Sequence, residues 1–157
     1  LKLPEAPNIP TRDELAALAE RCFLPEDFLD RHWDDHPAHP RFHRPVGDAL
    51  LHAHCHQKAL WSAESSARFM RRIVGPSRTR TLDTGCCGMA GSFGYTTNRY
   101  DLSMRIGELA LFPSARAMNP DDVLVAPGAS CRHQVHDGVA KTALHPMKWA
   151  ASLIIDD

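Results

Sequence analysis

The densest chemistry in this 157-residue chain is Gly85-Cys86-Cys87-Gly88, inside the stretch Thr81 to Tyr95, with further glycines at 91 and 94. Adjacent cysteines meet disulfide geometry only under strain. Both thiols can nevertheless face one polynuclear centre, because the flanking glycines let the backbone approach closely and turn sharply. The other cysteines are Cys22, Cys55 and Cys131. An odd total of five, two of them adjacent, argues against a secreted disulfide framework. It points instead to a reducing compartment, in which thiols act as ligands or catalysts. The chemistry to look for is therefore soft-metal ligation, with nucleophilic thiol catalysis as the competing use.

The rest of the composition supplies a scaffold. With 43% hydrophobic and 24% charged residues, the chain reads as one soluble globular domain with a core large enough to fold. No apolar run reaches the length of a membrane span, and no charged-then-apolar leader is present. A formal net charge of −1 gives no electrostatic case for nucleic acid. Arg68, Arg71, Arg72, Arg78 and Arg80 are expected to form a solvated helix face and loop. The start at Leu1, in a proline-rich approach with Pro4, Pro7 and Pro10, suggests an excised internal or C-terminal piece of a longer protein.

Two regions are expected. Residues 1–45 read as an N-terminal helix and a Pro/His-rich connector, and 46–157 as a cysteine-rich α/β domain. Thr11-x-x-Glu14 is a capping box that opens the first helix, with Leu15, Leu18 and Cys22 at helical spacing, so Cys22 is expected in a core. From Leu24 to Pro45 the chain carries His32, His36, His39 and His43 among prolines. That spacing breaks any i,i+4 metal pattern and predicts an irregular, solvated connector.

From Val46 the pattern alternates. Ala49 to His54 reads as a buried strand leading to Cys55. A helix over 57–74 follows, with Leu60, Ala63, Ala67, Met70 and Val74 on one stripe, ending at Gly75-Pro76. Thr79 to Thr84 is a second strand running into Cys86-Cys87. A helix from Thr97 turns Leu102, Ile106 and Leu109 inward and stops at Pro113, with a short helical turn to Met118. Asp122 to Ala126 is a third strand delivering Cys131, with a short helix over 133–138 behind it. Thr142 to Leu144 is a fourth strand ending at His145, and Pro146 opens a closing helix that reaches Ile154.

Such alternation predicts a mostly parallel sheet with flanking helices, a Rossmann-like three-layer α/β fold behind a helical or irregular N-terminal segment. Parallel crossovers bring every strand's C-terminal end to one edge, where open α/β sheets bind ligands. Cys55, Cys86, Cys87, Cys131 and His145 all follow strands and so gather there. Four thiols from separate loops suit an iron–sulfur cluster or zinc. His54, His56 and His133 neighbour the cysteines, each able to add a nitrogen ligand or a hydrogen bond to one. Adjacent cysteines suit a multi-iron cluster, whose irons each take one thiolate, better than one tetrahedral zinc.

Ala53-His-Cys-His-Gln-Lys-Ala59, Leu82-Asp-Thr-Gly-Cys-Cys-Gly-Met-Ala-Gly-Ser-Phe-Gly-Tyr95 and Ser130-Cys-Arg-His-Gln134 resemble the cysteine-rich CCG domain. That domain occurs in heterodisulfide reductase, in iron–sulfur subunits of glycolate oxidase and anaerobic glycerol-3-phosphate dehydrogenase, and in lactate-utilisation proteins. The motif forms are most similar to FAD-linked oxidoreductases of the D-lactate or D-2-hydroxyglutarate dehydrogenase type. The resemblance covers residues 46–157 and implies Cys55, Cys86, Cys87 and Cys131 as cluster ligands, with His133 as a substitute ligand. Where the family commonly has a further cysteine, this chain has Gln134, which speaks against the two-motif heterodisulfide-type cluster and leaves an ordinary four-iron (4Fe-4S) cluster, zinc or an empty site open.

The function implied is an iron–sulfur redox module of a larger flavin-linked 2-hydroxy-acid dehydrogenase. It would relay electrons from FAD, carried in the parent chain or a partner protein, to a quinone or carrier protein. No catalytic residue of the flavin chemistry is expected here, since Gly88-Met-Ala-Gly91-Ser-Phe-Gly94 lacks dinucleotide-loop spacing. The alternatives are a zinc-stabilised or metal-free assembly domain contacting a partner protein, and a thiol catalyst using Cys86 or Cys87. The expected compartment is the cytoplasm, with peripheral attachment to the inner membrane through the parent complex.

Overall fold

The computed structural model describes residues 10–35 and 37–155. Pro4, Pro7 and His36 lie outside the described residues. Strands β1 (Ala49–Leu51), β2 (Thr79–Thr81), β3 (Val123–Val125) and β4 (Ala143–Leu144) form one parallel sheet in the order β2-β1-β3-β4. Helices α1 (Arg12–Ala19), α2 (Pro25–Arg31), α3 (Cys55–Leu60), α4 (Glu64–Val74), α5 (Thr97–Glu108), α6 (Leu111–Arg116), α7 (Ala129–Val139) and α8 (Pro146–Ala151) surround it.

The sheet's position in the core follows from its sequence. β1 and β3 are runs of Ala, Leu and Val, as strands covered on both faces require. Side chains alternate across the pleat. Leu50 and Leu124 join Leu111, Phe112 and Val135 on one face. Ala49, Leu51 and Val125 join Phe69, Met70 and Trp149 on the other. So α5, α6 and α7 cover one face, and α4 and α8, with α2 behind them, cover the other. β2, Thr-Arg-Thr, is an exposed edge. The connection from β1 runs outward to β2, whereas that from β3 runs the opposite way to β4. The crevice between the ends of β1 and β3 is therefore the topological switch point, where open α/β sheets bind ligands.

The capping box forms as expected, Thr11 Oγ1 accepting from Glu14 N–H at 3.2 Å and Glu14 Oε2 accepting from Thr11 N–H at 2.8 Å. The burial expected of α1 does not occur. Leu15 and Leu18 are exposed and Cys22 lies at the surface, because capping stabilises a helix locally without requiring a partner face. Where an irregular connector is expected, α2 forms, opened by Pro25 at its first position and docked on α4 and α8. Buried Asp30 accepts from Arg68 Nε at 2.6 Å and Arg72 Nε at 2.8 Å, so two of the arginines expected to be merely solvated tie α2 to α4. His32 pairs with Asp35 at 2.7 Å and His39 Nε2 lies 2.8 Å from Trp33 O, so these two connector histidines have local partners.

The helix expected over 57–74 divides into α3 and α4 because Ser62 takes a left-handed conformation, φ 66°, which leaves Leu60 exposed. α4 retains its stripe at Ala67 and Met70 and ends at Gly75 as expected. The inward face of α5 is not Leu102 and Leu109, which are exposed, but Ser103 and Gly107. The Phe112 ring and the loop after β2 press so close that only small residues fit there. Pro113 sits within α6 rather than ending α5. α8 stops at Ala151, and Ile154 instead bridges antiparallel to Phe42. No helix among the described residues is long and apolar enough to cross a membrane.

Candidate metal centre

The four cysteines reach one place from three strand ends. Leu51 continues into His52, whose N–H donates to Val125 O at 2.9 Å, so β1 and β3 stay together up to the crevice. Cys55 is the first residue of α3. On the β3 side, Arg132 Nη1 donates to Ala126 O at 2.8 Å and Pro127 O at 2.7 Å, curling the chain into α7 and setting Cys131 in its first turn. A Cβ on Gly128 would strike the His54 ring and approach the Cys131 sulfur within 3.0 Å. The ends of β1 and β3 therefore meet across a bare backbone position.

The Cys86-Cys87 loop is fastened from beneath. Gly88 has φ 98°, and its carbonyl accepts from Ser103 Oγ of α5 at 2.9 Å. Gln134 Nε2 of α7 donates to both Ser103 O and Ser103 Oγ at 3.0 Å. These three residues are fully or nearly fully buried, so the loop, α5 and α7 form one polar lock. Position 134 thus has a structural task that a cysteine side chain is too short and too weak a donor to perform. On the solvent side, Lys58 Nζ of α3 donates to Thr84 O, just ahead of the loop.

The sulfurs interact with one another. Cys87 lies beside Cys131, and Cys86 beside Cys55, close enough for each thiol to act on the other's acidity. Cys87 is drawn well below the usual thiol range by the Cys131 thiol, against its burial, with His52 and the Met89 N–H assisting. Cys131 moves upward, because its proton is held against the Cys87 sulfur and because it is buried. Cys86 is raised, first by burial and also by the neighbouring Cys87 and Cys55 sulfurs, although the Gly88 N–H at 3.3 Å opposes this. Four soft donors lie close enough to repel one another as thiolates, which a cationic centre would relieve.

Among the described residues, no three His, Cys, Asp or Glu side chains stand in the arrangement of a single-ion site. Cys87 lies beside Cys131 and Cys86 beside Cys55, a set of soft sulfur donors whose chemistry suits iron or zinc. His54 is half-buried at the crevice, its pKa lowered by burial and then by the adjacent His56, whose ring centroid is 5.3 Å away. His133 is exposed, edge-on to Tyr95 at 6.4 Å. His145 caps α8, accepting from Met147 N–H at 3.1 Å. His52, only 1% exposed, lies beside Cys87 with Nδ1 at 2.6 Å from Thr84 Oγ1. Its position inside an apolar strand run conceals it in the sequence; the only signal is a histidine three residues before Cys55. A separate apolar groove of about 560 Å³, lined by Phe28, Trp33, Phe69 and Met147 among others, contains no cysteine.

Known proteins resemble the chain in part. It is 29% identical over 131 residues to D-2-hydroxyglutarate dehydrogenase of Pseudomonas putida, covering 82% of this chain and 12% of that one. It is 25% identical over 151 residues to a subunit of anaerobic glycerol-3-phosphate dehydrogenase of Escherichia coli K12, covering 96% of this chain and 36% of that one. A 78-residue stretch is 31% identical to D-2-hydroxyglutarate dehydrogenase of Pantoea ananatis, half of this chain and 8% of that one. The chain therefore spans only a minor part of these relatives' length, and its similarity is to parts of dehydrogenases. No protein-family model and no solved structure matches it.

Proposed function

We propose that this chain is the iron–sulfur-binding redox module of a larger flavin-linked 2-hydroxy-acid dehydrogenase. The observation that carries this reading is the convergence of Cys55, Cys86, Cys87 and Cys131 at the switch point of a parallel sheet, close enough for the thiols to shift one another's acidity. The similarity to parts of dehydrogenases supports the same class. When bound, a four-iron cluster would supply one-electron transfer between the flavin and an acceptor such as a quinone or carrier protein.

The protein's own residues do the holding and shielding. Cys87 and Cys131 are buried, and Cys55 and Cys86 are half-exposed, so one side of the donor set meets the core and the other meets the surface. The buried side is closed by Met89 and Ala126, which exclude water from the sulfurs. The exposed side, where Lys58 and His56 stand, is the face through which an electron would enter or leave. The Gly88–Ser103–Gln134 lock keeps the adjacent cysteines from relaxing apart. Flavin chemistry is assigned to the parent enzyme.

The test is anaerobic reconstitution with ferrous iron and sulfide. Stoichiometric iron and labile sulfide with a broad visible absorption, bleached by a low-potential reductant, is the expected result. Zinc bound stoichiometrically in preference to iron would replace this reading with the structural-metal one. Binding of neither would remove it.

A further inference from the structure

α3 brings Cys55 to the crevice, yet it has almost no apolar surface with which to hold itself there. Gln57 is its only buried residue; His56, Lys58, Ala59 and Leu60 are exposed and Cys55 is half-exposed. The left-handed turn at Ser62 separates it from α4. Its seat must therefore come from polar ties. On the solvent side Lys58 Nζ reaches Thr84 O. On the core side Gln57 Nε2 donates to Ser66 Oγ of α4 at 2.6 Å, and Ser66 Oγ donates to Glu26 Oε1 of α2 at 2.8 Å. Gln57, Ser66 and Glu26 are all buried.

The chemistry of the middle residue gives this chain its direction. A serine hydroxyl has one proton. Once donated to Glu26, it leaves only lone pairs for Gln57, so the amide nitrogen is the end that faces Ser66. Hydrogen bonds aligned head to tail away from water strengthen one another. Cys55 and Gln57 are two positions apart on α3, about 200° round its axis, so the anchored side and the thiol side are nearly opposite. A clamp on one sets the direction of the other. Turning the helix by about 20° would carry a side-chain atom about 5 Å from the axis by about 2 Å. Metal–ligand distances tolerate only about 0.2 Å.

We propose that Glu26, Ser66 and Gln57 are positioning residues for Cys55: through this buried hydrogen-bond chain, α2 and α4 fix the rotation of α3 and with it the place of the Cys55 thiol at the crevice. The cysteine site thereby draws on α2, a segment that precedes the cysteine-rich region. The placing of Cys55 stands on this chain alone. Its use as a ligand rests on the redox-module reading.

The experiment measures the rate at which iodoacetamide alkylates each cysteine of the reduced, metal-free chain at fixed pH, resolved by mass spectrometry. Wild type is compared with Ser66→Ala, Gln57→Leu, Glu26→Leu and Glu26→Gln, with exposed Cys22 as the internal reference. Ser66→Ala deletes one oxygen and with it both bonds. It should raise the Cys55 rate relative to Cys22 by about fivefold, the equilibrium factor of one net hydrogen bond. Buried Cys87 and Cys131 should stay as slow as in wild type. Gln57→Leu and Glu26→Leu should act in the same direction, while Glu26→Gln, which keeps an acceptor oxygen, stays near wild type. An unchanged Cys55 rate in Ser66→Ala overturns the proposal. So does an equal rise at Cys55, Cys87 and Cys131, which would mark a general loosening. A Glu26→Leu rate equal to wild type overturns the part given to α2. If Gln57→Leu does not fold, Ser66→Ala and the two Glu26 variants decide. If Ser66→Ala itself does not fold, the chain holds the whole domain rather than Cys55, and the proposal falls. Iron uptake by wild type is read separately and tests the redox-module reading alone.

Discussion

Adding one methyl group at Gly88 tests whether the cysteine loop is held in place by the fold or only tethered between two elements. A Cβ there would penetrate the Ser103 carbonyl oxygen and lie 3.1 Å from Gln134 Nε2. Both obstacles belong to buried, hydrogen-bonded parts of the lock, so neither can yield without breaking a bond. The left-handed conformation at φ 98° adds about 1–3 kcal/mol for a residue with a Cβ. Overpacking against backbone adds about 1–3 kcal/mol more. The expected loss for Gly88→Ala is therefore about 2–6 kcal/mol, a large share of a domain's total stability of about 5–15 kcal/mol. Two neighbouring glycines are internal controls. Gly91, φ 68°, has open space where its Cβ would go, so Gly91→Ala should lose only about 1 kcal/mol, the conformational part alone. Gly85 has open space and no left-handed φ, so Gly85→Ala should change stability by less than about 1 kcal/mol, in the stabilising direction. Urea unfolding of the reduced, metal-free chain, followed by circular dichroism, gives all three. If Gly88→Ala proves as stable as Gly85→Ala, the loop is not seated on α5 and the cysteines are positioned by something other than the lock.

Other substitutions separate the structural ties from the ligands. Asp30→Asn should lower stability by about 2 kcal/mol near neutral pH, between the values for exposed and buried pairs, since the arginines remain partly solvated. Burial pushes the Asp30 carboxyl up, but the Arg72 and Arg68 hydrogen bonds prevail and its pKa is lowered. Its contribution is thus full above the unfolded carboxyl value of about 4 and is lost as pH falls through the lower folded value. Unfolding curves for wild type and variant should therefore converge in acid; a gap independent of pH would contradict the tie. Gln134→Leu removes both bonds to Ser103 and should lose about 1–3 kcal/mol in the same urea assay. No loss would mean that α5 and α7 are held by apolar packing alone.

The fold class is legible because it depends on signals carried within single segments. Ala49-Leu-Leu51 and Val123-Leu-Val125 are apolar throughout, and each leads through a short connection to a helix, as the inner strands of a parallel sheet do. The gathering of the cysteines follows from that topology. What remains hidden depends on contacts between segments. Leu102 and Leu109 look like a core face by spacing, yet α5 turns Ser103 and Gly107 inward because Phe112 and Gly88 occupy the space beneath. α2 is hidden by its histidine- and proline-rich surroundings, and its docking depends on arginines about forty residues away. Cys22 fits a helical stripe that finds no core. His52 and Thr84 are 32 residues apart and meet only because β1 and β2 pair in register.

The central claim is that Cys55, Cys86, Cys87 and Cys131 hold one centre, and that Cys22 and the groove lined by Phe28 and Trp33 have no part in it. Iron and labile sulfide per chain, measured after identical anaerobic reconstitution of wild type and the five single Cys→Ser variants, test it most directly. Cys55→Ser, Cys86→Ser, Cys87→Ser and Cys131→Ser should each lose iron and sulfide together, while Cys22→Ser matches wild type. Full iron in all four, or a loss in Cys22→Ser equal to theirs, would contradict it.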